Sequence, residues 1–513
     1  MQRHRASFTV GMLLIPVLVL AGGKPAHAGN AFTGITGLPT ANPAEGVQPT
    51  VVSSESALVP IVRGTDPLEN PSGVITRFGL LSDQTKTEPD QNTYLVLDNP
   101  GGPTPGYNYG RHFLFQGHEN AGDLAYVTRI NLDVTDPAHR ITLLTPVGPD
   151  GKTHFNALDG SVWNPHTQTL LFTQENGSAG GVVEITPGWP PVVRTLYGVI
   201  GRGGYEGIRP DDKGNLILAE DIGGTTVNGA GRQPNSFIYR FIPTDPADLS
   251  AGGVLQALQV TINGHILTFN DPATGGNAAG DVLSPYQKML HEPGSVWPVG
   301  WVTVHDTDVD GFVPFDANAR AKAAGATPFK RPENVAFLPD SKFKTFFFTP
   351  TGDTSTAAGN QPELAARGAW GSIFRVDMKK DSTGTISIVV LGDRDHSSFD
   401  NLAFADQCTL LTAEDRGDML HDQADLLDSV WAYDICHSGP PARRLLAMGR
   451  DPEAAGPAGE DNEPTGLHAS DGDPSVKRLL GTSSTNMGNR SRWRWFVTQQ
   501  HGDNIVYEIV KAR

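Results

Sequence analysis

A loosely repeated pattern limits the possible folds of this chain more than any other feature of its sequence. A short apolar strand ends in an acidic or amide cluster, often followed by glycine, and this pattern occurs six times. The six segments lie at 112–120, 170–177, 216–221, 346–353, 410–415 and 495–504. Units of roughly 45–60 residues with about four short strands each are typical of a β-propeller. The sequence therefore predicts an all-β protein, a six-bladed β-propeller.

Two segments interrupt the repeat. Residues 29–90 are rich in proline, glycine and serine and can supply an outer strand, and residues 242–329 form a long insertion between the third and fourth units. The end of this insertion, at 317–326, has the composition of a short helix. The chain contains 59 glycines and 39 prolines, and only 19% of its residues are charged, which favours turns and strands over helices. We expect one propeller domain over 29–513, with 242–329 inserted into it.

The N-terminus has the features of an export signal. Arg3 and Arg5 precede an apolar run from Phe8 to Leu20, and Ala26-His27-Ala28 is a cleavage site of small residues. The alternative is a membrane anchor, but the run is short for a span and no other long apolar stretch follows. We expect residues 1–28 to be removed and the mature protein to be secreted or periplasmic, without a stable membrane span.

Charge and cysteine content restrict the partners and the covalent links. The chain has 39 Lys and Arg against 56 Asp and Glu, a formal net charge of -17, which argues against nucleic-acid binding. Export permits a disulfide, and the two cysteines, Cys408 and Cys436, lie in successive strand-like segments. A bridge between them is favoured over the alternative of two buried thiols.

Acidic residues recur at one place in the repeat. Each stands beside glycine or asparagine, before the apolar segment, in four units: Asp159, Glu206, Glu333 and Asp400. Because the innermost strand of every propeller blade starts at the central channel, we expect these carboxylates to converge there. The alternative is that each of them merely caps a turn. Clustered carboxylates repel one another unless a cation is bound, and an all-oxygen ligand set suits calcium.

In order along the chain, these motifs resemble the PhoX-like phosphatase family of exported six-bladed propellers. The segments that carry the resemblance are 117–120, 170–176, 205–207, 321–334 and 399–402. The run through Arg331-Pro332-Glu333 is the most specific of them. The resemblance implies hydrolysis of phosphate monoesters at a carboxylate-rich cluster of calcium and iron. It also implies metal ligands, to which the repeat adds two more acids: Glu119, Glu175, Glu206, Glu333, Asp159 and Asp400.

Two residues are candidates for a catalytic role. Arg331 can stabilise charge that develops on a phosphoryl group. His118 stands beside Glu119 at a strand end, and its alternative role is that of a supporting or surface residue. Other arginines near the predicted inner face can each clamp an anionic oxygen or form an ordinary ion pair: Arg111, Arg202, Arg209 and Arg367.

One departure from the family pattern concerns the metal. Iron-containing members carry a cysteine beside the glutamates at the end of the second motif, whereas this chain reads Phe172-Thr173-Gln174-Glu175-Asn176. The missing cysteine disfavours iron, and calcium is the expected cofactor.

The leading hypothesis is a secreted, metal-dependent hydrolase of small anionic phosphoesters. Two alternatives are a calcium-dependent lactonase or esterase, and a calcium-stabilised propeller that binds a ligand without catalysis. The fold alone does not distinguish these three functions, because function depends on the site.

Overall fold

The structure is a computed structural model that describes most of the chain beyond its N-terminal segment. The described residues are 31–38, 44, 50–227, 231–270, 276–353, 355–380, 382–416, 423–437, 442–449, 463–476 and 493–513. The predicted signal sequence, residues 1–28, lies outside the described residues.

After a 3-10 turn, the described chain forms two strands and then two four-stranded antiparallel sheets, each with its strands in sequence order. The opening strands are β1 (Val51–Val52) and β2 (Ser56–Val62). The first sheet contains β3 (Glu88–Val96), β4 (His112–Glu119), β5 (Tyr126–Asn131) and β6 (Ile141–Leu143). The second sheet contains β7 (Leu158–Asn164), β8 (Thr169–Gln174), β9 (Gly181–Ile185) and β10 (Val193–Thr195).

A ten-stranded antiparallel sheet follows in the middle of the chain, accompanied by a small two-stranded ribbon. The first part of this region contains β11 (Tyr205–Pro210), β12 (Leu216–Glu220), the ribbon strands β13 (Thr226–Val227) and β14 (Gly231–Arg232), β15 (Ile238–Pro243), β16 (Gly253–Ile262) and β17 (His265–Ile266). The second part contains β18 (Val296–Asp306), β19 (Pro332–Phe337), β20 (Thr345–Pro350), β21 (Ser372–Lys380) and β22 (Thr383–Leu391). The order across the sheet is β11-β12-β15-β16-β18-β22-β21-β20-β19, and β17 pairs with β16.

Two sheets at the end of the chain each receive a strand from its beginning. One contains β23 (Phe399–Phe404), β24 (Thr409–Glu414), β25 (Ser429–Asp434) and β26 (Arg443–Ala447), with β1 on its outer edge. The other contains β27 (Pro464–Ser470), β28 (Arg494–Gln499) and β29 (Val506–Lys511), with β2 on its outer edge. The expectation that residues 29–90 supply an outer strand is confirmed, because β2 pairs along β29 from Ser56 opposite Lys511.

Helices are short and lie in the connections. The α-helices are α1 (Ala278–Val282), α2 (Pro285–Leu290), α3 (Thr307–Asp310), α4 (Ala317–Ala323), α5 (Thr356–Gly359) and α6 (Pro362–Ala365). Three 3-10 turns span Ala31–Gly34, Gly177–Ala179 and Leu249–Ala251. The helix expected at 317–326 is α4, which begins after Asp316, whose carboxylate accepts the Ala319 N–H at 2.9 Å. None of the helices in the described ranges is long and apolar enough to cross a membrane.

The structure confirms an all-β, propeller-like arrangement and differs from the prediction in the number of separate sheets. Four sheets of four or five strands stand apart, but the third and fourth units share the ten-stranded sheet. The physical reason is β18, from the segment 242–329. One edge of β18 pairs with β16 of the third unit, and its other edge pairs with β22 of the fourth. This segment therefore adds strands to the sheets rather than looping away from them.

The first strands of the units, β3, β7, β11, β19, β23 and β27, contact one another in cyclic order. Apolar side chains fill the spaces between successive units. Phe113 and Phe115 of the first sheet pack in one cluster with Phe172 of the second, and Phe496 of the last sheet packs with Leu114 of the first. The inner strands of the sheets are covered on both faces in this way, which explains why strands such as β20 are buried throughout.

A disulfide joins Cys408, just before β24, to Cys436, just after β25, with the two Cα atoms 5.1 Å apart. The predicted bridge between neighbouring strands is confirmed.

Candidate metal centre

The pairing between the first and second strands of every unit is irregular at the same place. The register shifts lie between Pro89 and Asn92, Leu158 and Ser161, Tyr205 and Ile208, Pro332 and Asn334, Phe399 and Leu402, and Thr465 and His468. A bulge of this kind redirects the side chains of the unpaired residues. Five of the six bulges contain an acid, and we call these residues the bulge acids: Asp90, Asp159, Glu206, Glu333 and Asp400.

The bulge acids come together in two compact groups. Carboxylate oxygens of Asp90, Glu119 and Asp159 lie within 4.8 Å of one another, and those of Glu206, Glu333 and Asp400 do the same. All five bulge acids are buried. Of the four acids predicted to converge, Glu206, Glu333 and Asp400 lie in one group although they are up to 194 residues apart in sequence, and Asp159 lies in the other group.

A second set of polar side chains stands where the second strand of each unit ends. These residues are Glu119, Glu175, Asp221, Thr351, Asp415 and Gln500. These positions are equivalent in the repeat. At five of them the backbone N–H donates to a carbonyl just before the first strand of the same unit: Glu175, Asp221, Thr351, Asp415 and Gln500.

The two neutral members of this second set bind the acids directly. Gln500 Nε2 donates to Asp90 Oδ2 at 2.8 Å and to Glu119 Oε1 at 3.1 Å. The Thr351 hydroxyl donates to Glu333 Oε1. The last unit, whose bulge carries Thr465 and Gly466 rather than an acid, thus contributes to the cluster through Gln500.

Arg331 inserts a single guanidinium among these carboxylates. Its Nη2 lies 2.7 Å from Asp221 Oδ2, 3.3 Å from Glu333 Oε1 and 3.8 Å from Asp415 Oδ2. Its backbone is left-handed, with φ 53°, and Ala157 and Ser398 at the equivalent places have φ 43° and 53°. The left-handed turn therefore belongs to the repeat, and it holds Arg331 two residues before the bulge acid Glu333.

Burial and mutual repulsion make this cluster electrostatically unfavourable when its acids are ionised. Burial raises the pKa of Asp90 well above its ordinary value, and the carboxylates of Asp400 and Glu175 raise it further. Burial also raises the pKa of Asp400 to about 7. Burial, followed by the charge of neighbouring acids, also raises the pKa of six further acids: Glu119, Asp159, Glu175, Glu206, Glu333 and Glu463.

Arg331 behaves in the opposite way. Burial alone would lower the pKa of its guanidinium, but Asp221, Glu333 and Asp415 raise this pKa well above its ordinary value. One guanidinium cannot balance so many ionised carboxylates, so the ionised cluster favours the binding of further positive charge.

Several oxygens of the bulge acids are buried and have no hydrogen-bond partner among the described residues. They are Asp90 Oδ1, Asp159 Oδ1, Glu206 Oε2 and Asp400 Oδ1. Buried carboxylate oxygens without partners are rare unless an ion satisfies them. Both triads therefore fit a hard divalent cation with oxygen ligands. Thiolate ligands are not available, because both cysteines of the chain form the disulfide.

The structure does not bring His118 into the cluster. Its Nδ1 lies 3.2 Å from the Thr87 hydroxyl and its Nε2 lies 2.9 Å from the Thr128 hydroxyl. Its ring stacks on Tyr126 at 4.2 Å and is fully buried. Successive side chains of a strand point to opposite faces, so Glu119 faces the axis while His118 faces the interior of the sheet packing. Burial also lowers the pKa of His118 well below its ordinary value.

Of the arginines considered from the sequence, only Arg331 contacts these acids. Arg111 forms an exposed ion pair with Asp98. Arg202 lies over the Tyr197 ring, and Arg367 binds Glu363. Arg209 lies on β11 at the other end of the channel, among residues of a separate cavity.

The sequence analysis did not identify four further acids that lie in the two triads or near them, namely Asp90, Asp221, Asp415 and Glu463. Asp90 had a usable signal, because Pro89-Asp90-Gln91-Asn92 matches Pro332-Glu333-Asn334 before a strand. Asp221 and Asp415 are the last residues of two repeat segments, at the same place as Glu119 and Glu175. Glu463 had no comparable sequence signal.

Comparisons with known proteins identify the family of this chain. The family model described as alkaline phosphatase PhoX matches residues 144–464. The Pseudomonas fluorescens PhoX, solved in complex with vanadate, a transition state analogue, is similar at TM-score 0.56 and 13% identity, over 93% of this chain and 98% of that chain. TolB from Acinetobacter baumannii is much less similar, at TM-score 0.30 and 11% identity, over 82% of this chain and 63% of that chain. No curated protein sequence matches the chain. The family model spans well over half of the chain, which therefore belongs to the PhoX alkaline phosphatase family.

Proposed function

We propose that this protein is a metal-dependent phosphoester hydrolase that releases phosphate from small molecules. The observation that carries the proposal is the cluster of two acid triads beside a guanidinium, in a chain of the PhoX family. The similar fold of the Pseudomonas fluorescens PhoX, which holds vanadate, supports the same reaction class.

The two triads are the proposed cation ligands, with Glu175 beside them. The first consists of Asp90, Glu119 and Asp159, and the second of Glu206, Glu333 and Asp400. Calcium is the proposed ion, because the ligands are oxygens and the thiolate associated with iron in this family is missing here. Bound divalent cations would balance the carboxylate charge and polarise a phosphoryl group as Lewis acids.

Arg331 is the proposed contact to the phosphoryl oxygens. Its Nε and Nη2 are held by Asp221 at 2.8 and 2.7 Å, which fixes the orientation of the guanidinium. Its Nη1 has no partner in the described part of the chain. A fixed guanidinium with a free N–H edge can stabilise charge on an oxyanion without reorganising during the reaction.

We further propose that the ten-stranded sheet consists of two blades joined by β18, so that six blades surround one axis. The cyclic contacts of the six first strands support this description. The basic and apolar start of the sequence supports export, with residues 29–513 forming the mature propeller domain.

The test is release of p-nitrophenol from p-nitrophenyl phosphate by the calcium-loaded mature protein, with metal content measured in parallel. We expect activity that is lost on chelation and restored by calcium. Glu206→Gln and Glu333→Gln should each reduce kcat by roughly 100-fold or more. The matched control is Glu184→Gln, since Glu184 is equally buried but pairs with Arg194 outside the cluster.

Unchanged turnover in both cluster variants would refute the proposed site. Hydrolysis of lactones without phosphate release would favour the lactonase alternative, and tight calcium binding without turnover on either class of substrate would favour a binding protein.

A further inference from the structure

A cavity lies beside the six first strands, further along each strand than its bulge. Its volume is about 230 Å³, and its lining includes a side chain from each of the six first strands. These residues are Tyr94, Trp163, Arg209, Phe337, Phe404 and His468. We call this space the far cavity. Arg209 follows Glu206 by three residues on β11, so the two lie about 10 Å apart along the strand.

Arg209 is the only arginine or lysine that lines the far cavity among the described residues, and its hydrogen bonds go to neutral groups. Its Nη1 donates to the Ile208 carbonyl at 2.7 Å and to the Ser161 carbonyl at 3.5 Å. Its Nη2 donates to Asn334 Oδ1 at 3.4 Å. In the described chain, no carboxylate lies within ion-pair distance of Arg209, in contrast to the three around Arg331.

Withdrawing a guanidinium from water without a counter-ion is unfavourable. Burial lowers the pKa of Arg209 to about 10, and no neighbouring acid opposes this shift. A second donor lies beside the guanidinium, because Asn334 Nδ2 is buried and has no acceptor in the described residues. The Arg209 guanidinium therefore lacks a counter-ion among the described residues, and the neighbouring Asn334 amide lacks an acceptor there.

Two acids stand among the lining residues, Asp471 and Asp473. Asp471 Oδ1 accepts the Asp473 N–H at 3.1 Å, and Asp473 Oδ1 accepts the Ser475 N–H at 2.9 Å. These carboxylates thus hold the turn that follows β27. Asp473 is exposed, which places this turn at the rim of the far cavity.

We propose that the far cavity binds a small organic carboxylate with an apolar or aromatic body. The carboxylate pairs with the Arg209 guanidinium, whose planar fork suits two oxygens. The body of the ligand lies against the aromatic walls formed by Trp163, Phe337 and Phe404. The volume equals that of roughly eight water molecules at about 30 Å³ each, which suits a one-ring molecule. This proposal is independent of the phosphatase proposal, because it uses different residues and requires no cation.

The test is calorimetric titration of benzoate into the calcium-loaded protein, with benzyl alcohol as a neutral probe of the same shape. We expect benzoate to bind more tightly than benzyl alcohol. Arg209→Met should weaken benzoate at least about tenfold, as expected for loss of a charge-assisted hydrogen bond. Arg331→Met, at the acid cluster, is the matched control and should leave benzoate affinity unchanged.

Equal benzoate affinity in folded Arg209→Met, loss of affinity in Arg331→Met alone, or no binding by the unaltered protein would each overturn the proposal. If Arg209→Met does not fold, phenylglyoxal labelling of the unaltered protein, mapped by peptide mass spectrometry, decides the question. Benzoate, but not benzyl alcohol, should then protect Arg209 while the exposed Arg111 remains labelled. Equal labelling of Arg209 with and without benzoate would refute the site.

Discussion

Replacing Asp400 with asparagine is predicted to stabilise the cation-free protein and to reduce its response to calcium. Burial raises the pKa of Asp400 from 3.8 to about 7 in the folded protein. The cost of ionising it is therefore absent below the unfolded pKa, grows as pH rises between about 4 and 7, and is complete above pH 7. At 1.36 kcal/mol for each unit, this cost is about 2 kcal/mol at pH 5 and about 4 kcal/mol at pH 8.

Asparagine has the same shape as aspartate and carries no charge, so Asp400→Asn removes this cost. The hydrogen bond from Asn401 Nδ2, 2.6 Å long, can still be accepted by the amide oxygen. The unfolding entropy of a chain of this length is roughly 1 kcal/mol/K, so the variant should gain about 4 °C in Tm at pH 8 and about 2 °C at pH 5. The variant also loses a proposed cation ligand, and calcium should raise its Tm much less than that of the unaltered protein.

The assay is thermal unfolding at pH 5 and pH 8, in chelator and in excess calcium. Asp377→Asn serves as the control, because Asp377 is an acid paired with Arg375 on β21, far from the axis. It should lose no more than about 1 kcal/mol and keep the full calcium response. A lower Tm of Asp400→Asn in chelator at pH 8, or an undiminished calcium shift, would refute the reasoning.

Three further predictions concern other parts of the molecule. Arg331→Met should reduce phosphatase kcat by roughly 100-fold, measured by steady-state kinetics. It should also destabilise the protein by about 3–5 kcal/mol in urea unfolding, because it leaves Asp221 buried without its partner. Cys408→Ser with Cys436→Ser should lower the free energy of unfolding by about 3–4 kcal/mol, from the loop of 28 residues that the disulfide closes, with kcat unchanged. His118→Asn should destabilise the protein by about 1–3 kcal/mol in urea but leave the pH profile of hydrolysis unaltered, and a displaced profile would place His118 in the reaction after all.

Much of the fold could be predicted from the sequence because each unit repeats the same local chemistry. The strand-end segments and the acids before them mark equivalent positions, and the propeller axis brings equivalent positions together. This logic predicted that Asp159, Glu206, Glu333 and Asp400 converge, and the structure places Glu206, Glu333 and Asp400 in one triad and Asp159 in the other. The outer strand from residues 29–90 and the disulfide between successive strands followed from similarly local signals.

The remaining features depend on contacts that no local pattern encodes. The joining of two units by β18 arises from pairing between the insertion and both flanking sheets, so it could not be read from the apolar pattern of β18 itself. Adjacent residues of a strand face opposite sides, and only the bulge geometry decides which side meets the axis. For this reason Glu119 reaches the cluster and its neighbour His118 does not. Glu463 lies just before β27, outside the repeated acidic motifs, and its interaction with Asp415 and Asp400 arises only from the three-dimensional arrangement.

The pairing of β2 with β29 has a consequence for how the protein folds. The proposed cation ligands come from five successive units, and the ring that positions them closes only when Ser56 meets Lys511 near the other end of the chain. Contacts between such distant residues form late, because the entropy of closing the intervening chain must be overcome first. A refolding chain is therefore expected to build its separate sheets before it acquires high affinity for cations. Calcium uptake during refolding should be one of the slowest kinetic phases, and it should report directly on the meeting of the two chain ends.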